Sequence, residues 1–361
     1  MTAALPWGIV RRAMHVGIFV EERRRDTSEA VAFRDAVELA EAAEREGLDG
    51  VWLGEIHFTP IRSVQSAPMA LASYLAARTE RVRIGTAVTV LPLVHPLRIA
   101  EEAATVDQLS QGRFDLGIGR SGAASTYDAL GIPYGESQAR FEEALAIIRE
   151  AWKGEPFSYE GRFHRIRNTV VTPRPYQVPH PPLRMAANSP ETFPWVGRAG
   201  LPLFAGLRDL GIPELGEHLA AYRAAWRESG HAGAGDVCLR IPLYAAPTEA
   251  AAREEPRENM SYFFRRHTEL ARARLGRAGA GPVERARRHV ADLEELSYDR
   301  IVETRAAFGT GPSLVDRLRR LRDELGLDGI IAELNPGGLL SLSQLRRTLD
   351  IVAREVVPAL R

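Results

Sequence analysis

GRFDLGIGRSG, residues Gly112–Gly122, decides how the rest of the chain is read. A helix-like segment stops at Gly112. A short apolar strand follows and empties into a turn that holds Arg120, Ser121 and Gly122. Gly117, Gly119 and Gly122 match G-x-G-x-x-G, the dinucleotide fingerprint. That fingerprint needs a second parallel strand, with an acidic residue about 20 positions beyond the glycines to hold a ribose. After Gly122 the chain instead runs through Tyr127, Gly131, Pro133 and Gly135 into a helix, with no β-branched strand in that window. The other reading makes this stretch one strand of a barrel. Arg120 then stands at a C-terminal strand end, where barrel active sites lie. A guanidinium there suits bidentate phosphate binding, or a salt bridge to a neighbouring strand end.

Working outward, seven further apolar runs read as strands: His15–Val20, Gly50–Gly54, Val82–Leu91, Leu183–Ala187, Leu201–Ala205, Val237–Ala246 and Gly329–Glu333. Helical patterns separate most of them. Asp26 with Glu29 resembles a capping box for a helix that stops at Gly47. Pro68 to about Thr79, Leu97–Gln111, Phe141–Trp152, Ser313–Leu325 and Leu342–Val357 are helical, and another helix ends near Gly230. Eight alternating units in 361 residues predict an α/β fold, a (β/α)8 TIM barrel. Two insertions break the rhythm. A Pro-rich stretch, 155–182, follows strand four, and a charged passage, 247–308, follows strand seven. Long barrel insertions serve as lids, binding loops or surface decoration.

Composition excludes several classes of function. The formal net charge is zero, so no whole-protein field draws nucleic acid or an anionic membrane. Cys238 is the only cysteine, which removes internal disulfides and cysteine metal clusters. No run approaches the roughly 20 apolar residues of a membrane span. Residues 1–13 read as a loose extension without signal-peptide order, residues 14–361 as a single barrel domain, and the cytoplasm as the expected location.

Candidate site residues cluster at strand ends. Strand five exits into Asn188, Ser189 and Thr192; the two hydroxyls suit a phosphate held at a helix start, and Ser189 equally suits a plain N-cap. Glu55 and His57 end strand two, and His95 precedes Pro96; each histidine is an acid/base candidate or a locally satisfied side chain. No HExxH and no clustered His/Asp/Glu spacing supports a metal.

These pieces together resemble the bacterial luciferase-like flavin monooxygenases, from about Met14 to the C-terminus. The resemblance rests on EIHF (55–58), IGTAVTVLPLVHP (84–96), VDQLSQGRF (106–114), LGIGR (116–120), AANSPET (186–192), AGLPL (199–203) and EVVPAL (355–360). It implies reduced FMN at the C-terminal mouth of the barrel. Arg120, Ser189 and Thr192 match the flavin-phosphate positions, with Asn188 where luciferase has an acid. Ala87–Val88 matches a site that carries a non-proline cis peptide under the flavin ring. The implied chemistry is oxygen activation through a C4a-hydroperoxyflavin, on a small organic substrate, with a separate flavin reductase supplying reduced FMN. The 247–308 passage lies where the family has a mobile loop over the site, and is expected to be poorly ordered or helical and to close on substrate. The family also implies a homodimer.

One departure is informative. Luciferase has two consecutive histidines in the segment matching 55–58; here the first is Ile56 and only His57 remains. An aliphatic group cannot transfer protons, so a substrate other than a light-emitting aldehyde is expected, bulkier or more apolar. Secondary-metabolite tailoring, as in antibiotic biosynthesis, fits the Arg- and Ala-rich composition. A deazaflavin (F420) hydride-transfer oxidoreductase on the same fold is the alternative, although its branch often carries an acid in the turn that holds Arg120. A non-catalytic flavin-binding relative is the third reading.

Overall fold

The computed structural model describes residues 13–361, except 22–23, 25–26, 61 and 276–282. Residues 1–12 of the expected extension, and Asp26 of the expected capping box, lie outside the described residues. Ser28 caps the first helix instead: its side chain accepts from Val31 N.

Eight parallel strands close into a barrel. In chain order they are β1 (His15–Val20), β2 (Gly50–Leu53), β3 (Arg83–Thr86), β4 (Phe114–Gly119), β5 (Leu183–Ala186), β6 (Leu203–Gly206), β7 (Val237–Ala245) and β8 (Gly329–Glu333). Each pairs with the next, and β8 pairs back onto β1 with His15 opposite Gly329. The period of two along each strand sorts side chains between two layers. Val16, Ile18, Val51, Leu53, Ile84, Leu116, Ile118, Leu239 and Ile330 face outward into the large core shared with the helices. Phe19, Trp52, Phe204, Cys238 and Ile331 alternate with them and pack together in a separate inner cluster.

That inner cluster plugs the barrel. Trp52 and Phe204 meet edge to face at 5.0 Å. Arg184 lies 5.9 Å from both rings and grips Asp236 with two bonds, at 2.6 and 3.1 Å. Asp115, at the start of β4, takes Arg83 Nε at 3.2 Å. Burial pushes the Cys238 thiol up to about 12 despite the nearby Arg184 charge.

The glycines of the opening stretch are explained by this packing. A Cβ on Gly117 would fall 1.8 Å from the Thr86 carbonyl oxygen and 2.8 Å from the Phe204 ring. A Cβ on Gly119 would fall 2.4 Å from Val88 Cγ2. Both glycines let β3 and β4 lie close, and no dinucleotide need be invoked for them.

Two elements differ from the sequence reading. The run 82–91 is not one strand: it breaks after Thr86, resumes at Thr89–Val90 against β4, and turns into a 3-10 helix over Leu91–Leu93. The Pro-rich stretch contains an antiparallel hairpin, Phe157–Glu160 with Arg165–Thr169. Glu143 pins it by accepting from Arg162 N (2.8 Å), Phe163 N (3.0 Å), His164 N (2.7 Å) and His164 Nδ1 (2.9 Å). The 247–308 passage is helical over Glu249–Glu254, Arg257–Leu275, Val283–Glu294 and Tyr298–Arg305. Its helices share a small core of Met260, Phe264, Ala271, Val290, Leu293 and Ile301. At its end the chain over Ala307–Gly309 pairs with the end of β7. Among the described residues no helix is long and apolar enough to cross a membrane.

Candidate functional site

The C-terminal ends of the strands form one mouth, and the expected site residues stand around it. At the exit of β3 the Ala87–Val88 peptide is cis. Its position is fixed on both sides: Ala87 N donates to Leu53 O at 2.7 Å, and Thr86 Oγ1 donates to Gly117 O at 2.7 Å.

The exit of β2 is tied to the same segment. Glu55 Oε2 accepts from Val90 N at 3.1 Å, while Oε1 pairs with His57 Nε2 at 2.7 Å. The Glu55 side chain is 5% exposed and that of His57 20%, so the histidine is the more accessible of the pair. A carboxylate held in this way fixes which ring nitrogen carries a proton.

His95 stands apart from that pair in its contacts. Its Nδ1 accepts from Leu97 N at 3.3 Å, capping the helix Pro96–Leu109, and its ring meets His164 edge-on at 5.1 Å. Burial, with His164 adding to it, holds its pKa below the usual histidine value.

At the exit of β4, the Arg120 guanidinium has no hydrogen-bond or ion-pair partner among the described residues. Its backbone is held instead: the fully buried Tyr127 donates its hydroxyl proton to Arg120 O. Ser121 follows at φ 57°, a left-handed conformation that turns the chain sharply after Arg120. On the neighbouring strand, β5 leads into Asn188, which is exposed, and then to Ser189. Ser189 Oγ and Thr192 Oγ1 lie 2.8 Å apart. The helix that starts at Thr192 has no side-chain N-cap bond, so Ser189 is not serving as a plain cap.

Two groupings had no sequence signal of their own. The first is a ring of charge above the aromatic plug. Arg240 lies 3.5 Å over the Phe19 ring and donates from Nε to Glu333 Oε2 at 2.9 Å. Arg62 donates from Nε to Glu21 Oε1 at 2.6 Å. The only cue was a charged residue inside each of two apolar strands, LRIPL and GIIAE. The second joins the helical insertion to the end of β6. Asp209 Oδ1 takes His267 Nε2 at 2.7 Å and His289 Nε2 at 3.3 Å. Burial alone would raise the Asp209 pKa, but the two histidines and Arg208 outweigh it and hold the carboxyl well below its usual range. The sequence spacing gave no hint of this cluster.

Comparison with known proteins agrees with the barrel fold. The sequence pattern of the luciferase-like monooxygenases matches residues 14–329. The oxygenase component of a flavin-dependent trigonelline monooxygenase from Acinetobacter baylyi is 26% identical over 96% of this chain and 95% of its own. An F420-dependent glucose-6-phosphate dehydrogenase from Kineococcus radiotolerans is 38% identical, over 45% of this chain and 49% of its own. The crystal structure of the monooxygenase RslO1 from Streptomyces bottropensis superposes with a TM-score of 0.81 at 26% identity, covering 96% of this chain and all of that one.

Proposed function

The chain belongs to the luciferase-like monooxygenase family, and from that premise we propose that it is the oxygenase of a two-component system. It takes reduced FMN from a separate reductase and uses O2 to oxygenate a small organic substrate. The observation that carries the cofactor assignment is the partnerless guanidinium of Arg120, one strand away from the Ser189–Thr192 hydroxyl pair. A half-buried cation with no partner among the described residues, with two hydroxyls after the neighbouring strand, fits a phosphate.

In this reading Arg120, Ser189 and Thr192 hold the phosphate, with the exposed Asn188 next to them. The Ala87–Val88 segment backs the flavin ring. Gly119 allows Val88 to sit where it does. Bound reduced FMN supplies the electrons that activate dioxygen. The chain's own residues then orient, shield and move protons. His57 Nδ1 is the proton-handling atom, and Glu55, paired with Nε2, orients the ring. Ile56 between them carries no proton. His95, occupied as a helix cap, is left out of the proton path. The helices Glu249–Glu254, Arg257–Leu275, Val283–Glu294 and Tyr298–Arg305 keep water from the reacting atoms by covering the mouth.

The test is an anaerobic titration of the whole chain with reduced FMN and with reduced F420. Air is then admitted in the presence of a flavin reductase and a panel of substrates. Tight binding of reduced FMN and oxygen-dependent product are expected. Preference for F420, with product formed in the absence of oxygen, would move the chain to the hydride-transfer alternative, which the Kineococcus relative supports. Binding without any oxygen-dependent product would leave a flavin-binding protein.

A further inference from the structure

The cluster at Asp209 joins the helical insertion to the end of β6.

Three side chains from three separate elements converge there. Asp209 lies just past the end of β6, His267 in the helix Arg257–Leu275, and His289 in the helix Val283–Glu294. One ligand atom from each lies within 4.8 Å of the other two. Both histidines direct Nε2 at the same carboxylate oxygen, at 2.7 and 3.3 Å. Zinc–ligand bonds of about 2.0–2.2 Å place tetrahedral donors about 3.4 Å apart. A small outward shift of His267 therefore opens a three-ligand site. The side chains are 23%, 11% and 31% exposed for Asp209, His267 and His289, so an ion can reach them from solvent.

The surroundings orient the donors. The His267 ring stacks parallel to Phe263, at 8° and 6.2 Å, and meets the His289 ring edge-on. The other carboxylate oxygen of Asp209 lies 3.7 Å from Arg208 Nε, which leaves Oδ1 to the histidines. Arg305 donates from Nη1 to the carbonyls of Leu207 (3.0 Å) and Arg208 (3.1 Å), fixing the backbone that presents the aspartate. Ligand groups held by partners behind them are the mark of a working metal site.

We propose that Asp209, His267 and His289 bind one divalent transition-metal ion of the zinc class. The ion staples the helical insertion to the rim of the barrel mouth. Two imidazoles and one carboxylate suit zinc, cobalt or nickel, while magnesium and calcium prefer all-oxygen sites. Water completes the fourth position. No step of the proposed oxygenation passes through this ion, so the inference stands or falls separately from the flavin assignment.

The whole chain, stripped with a chelator and dialysed, is titrated with zinc chloride by calorimetry in a non-coordinating buffer. One equivalent is expected to bind in the micromolar range or tighter, and His289→Ala and Asp209→Asn to weaken it at least tenfold. Cobalt chloride in place of zinc is expected to give the visible absorption of a four-coordinate ion, lost in His289→Ala. Zinc is also expected to raise the melting temperature of the parent and leave that of His289→Ala unchanged. His289 is the most exposed of the three, so this variant keeps the test meaningful if Asp209→Asn misfolds. Binding of less than one equivalent, or equal binding by parent and His289→Ala, overturns the proposal and leaves the cluster a hydrogen-bonded latch.

Discussion

Replacing Arg120 by Ala separates a binding role from a folding role. Among the described residues the guanidinium has no hydrogen-bond or ion-pair partner, and Tyr127 holds the Arg120 backbone whatever the side chain. Truncation therefore leaves no stranded partner, and the stability change should stay within about 0.5 kcal/mol, as for a surface substitution. The loss to the ligand is different. Hydrogen bonds to a charged group contribute about 1.5–3 kcal/mol, and about 1.4 kcal/mol is tenfold in affinity. Arg120→Ala should thus weaken reduced-FMN binding by about 10- to 150-fold. The Ser189–Thr192 pair should retain residual affinity. Arg120→Lys should recover only part of the loss, because an ammonium cannot make the bidentate contact. The assay is anaerobic titration of reduced FMN with parent and variants, beside thermal unfolding of the same preparations. If the variant melts with the parent and its affinity lies within about threefold, Arg120 does not hold the phosphate.

Two further substitutions test the frame around the site. Gly117→Ala places a methyl 1.8 Å from the Thr86 carbonyl, and backbone cannot yield cheaply; a loss of about 3 kcal/mol or more is expected. A melting temperature equal to that of the parent would refute the close-approach account of that glycine. Glu143→Gln should loosen the 157–169 hairpin by about 1–3 kcal/mol, read as faster hydrogen exchange of its amides. Burial raises the Glu143 pKa, but the bonds from His164 and the hairpin amides outweigh it, so the folded value lies below the unfolded one. The unfolded state then binds more protons on the acid side. The contribution of Glu143 is fully present above about pH 4.3 and is lost as pH falls through the lowered value. Acid should therefore speed hairpin exchange in the parent and much less in Glu143→Gln; an equal response in both would refute the anchor.

The barrel was legible because its strands are short apolar runs punctuated by glycine and helix. The inward set, Phe19, Trp52, Phe204, Cys238 and Ile331, takes one residue from each of five of those runs, out of phase with the outward-facing apolar residues. The hairpin was not legible. FSYE and RIRNT carry few apolar residues, lie outside the barrel, and are flanked by prolines that read as loop. Glu55, His57 and Arg120 could be placed at the mouth from sequence because each follows closely on a strand end. The charge ring and the Asp209 cluster were hidden because their members come from different strand ends and helices, far apart in the chain. Only closure of the barrel and docking of the insertion bring them together.

The sealed floor of the barrel gives the protein a built-in chemical clock. Cys238 is its single thiol, 3% exposed beneath the aromatic plug and held mostly protonated by burial. A thiol reagent added to the native protein gains access only when the strands part. At low reagent concentration the labelling rate reports how often the floor is open, and at high concentration how fast it opens. Each molecule carries one such label site, so the unlabelled fraction, read by mass, gives the labelling rate directly. Comparing labelling with and without flavin would show whether filling the mouth of the barrel quiets its far end.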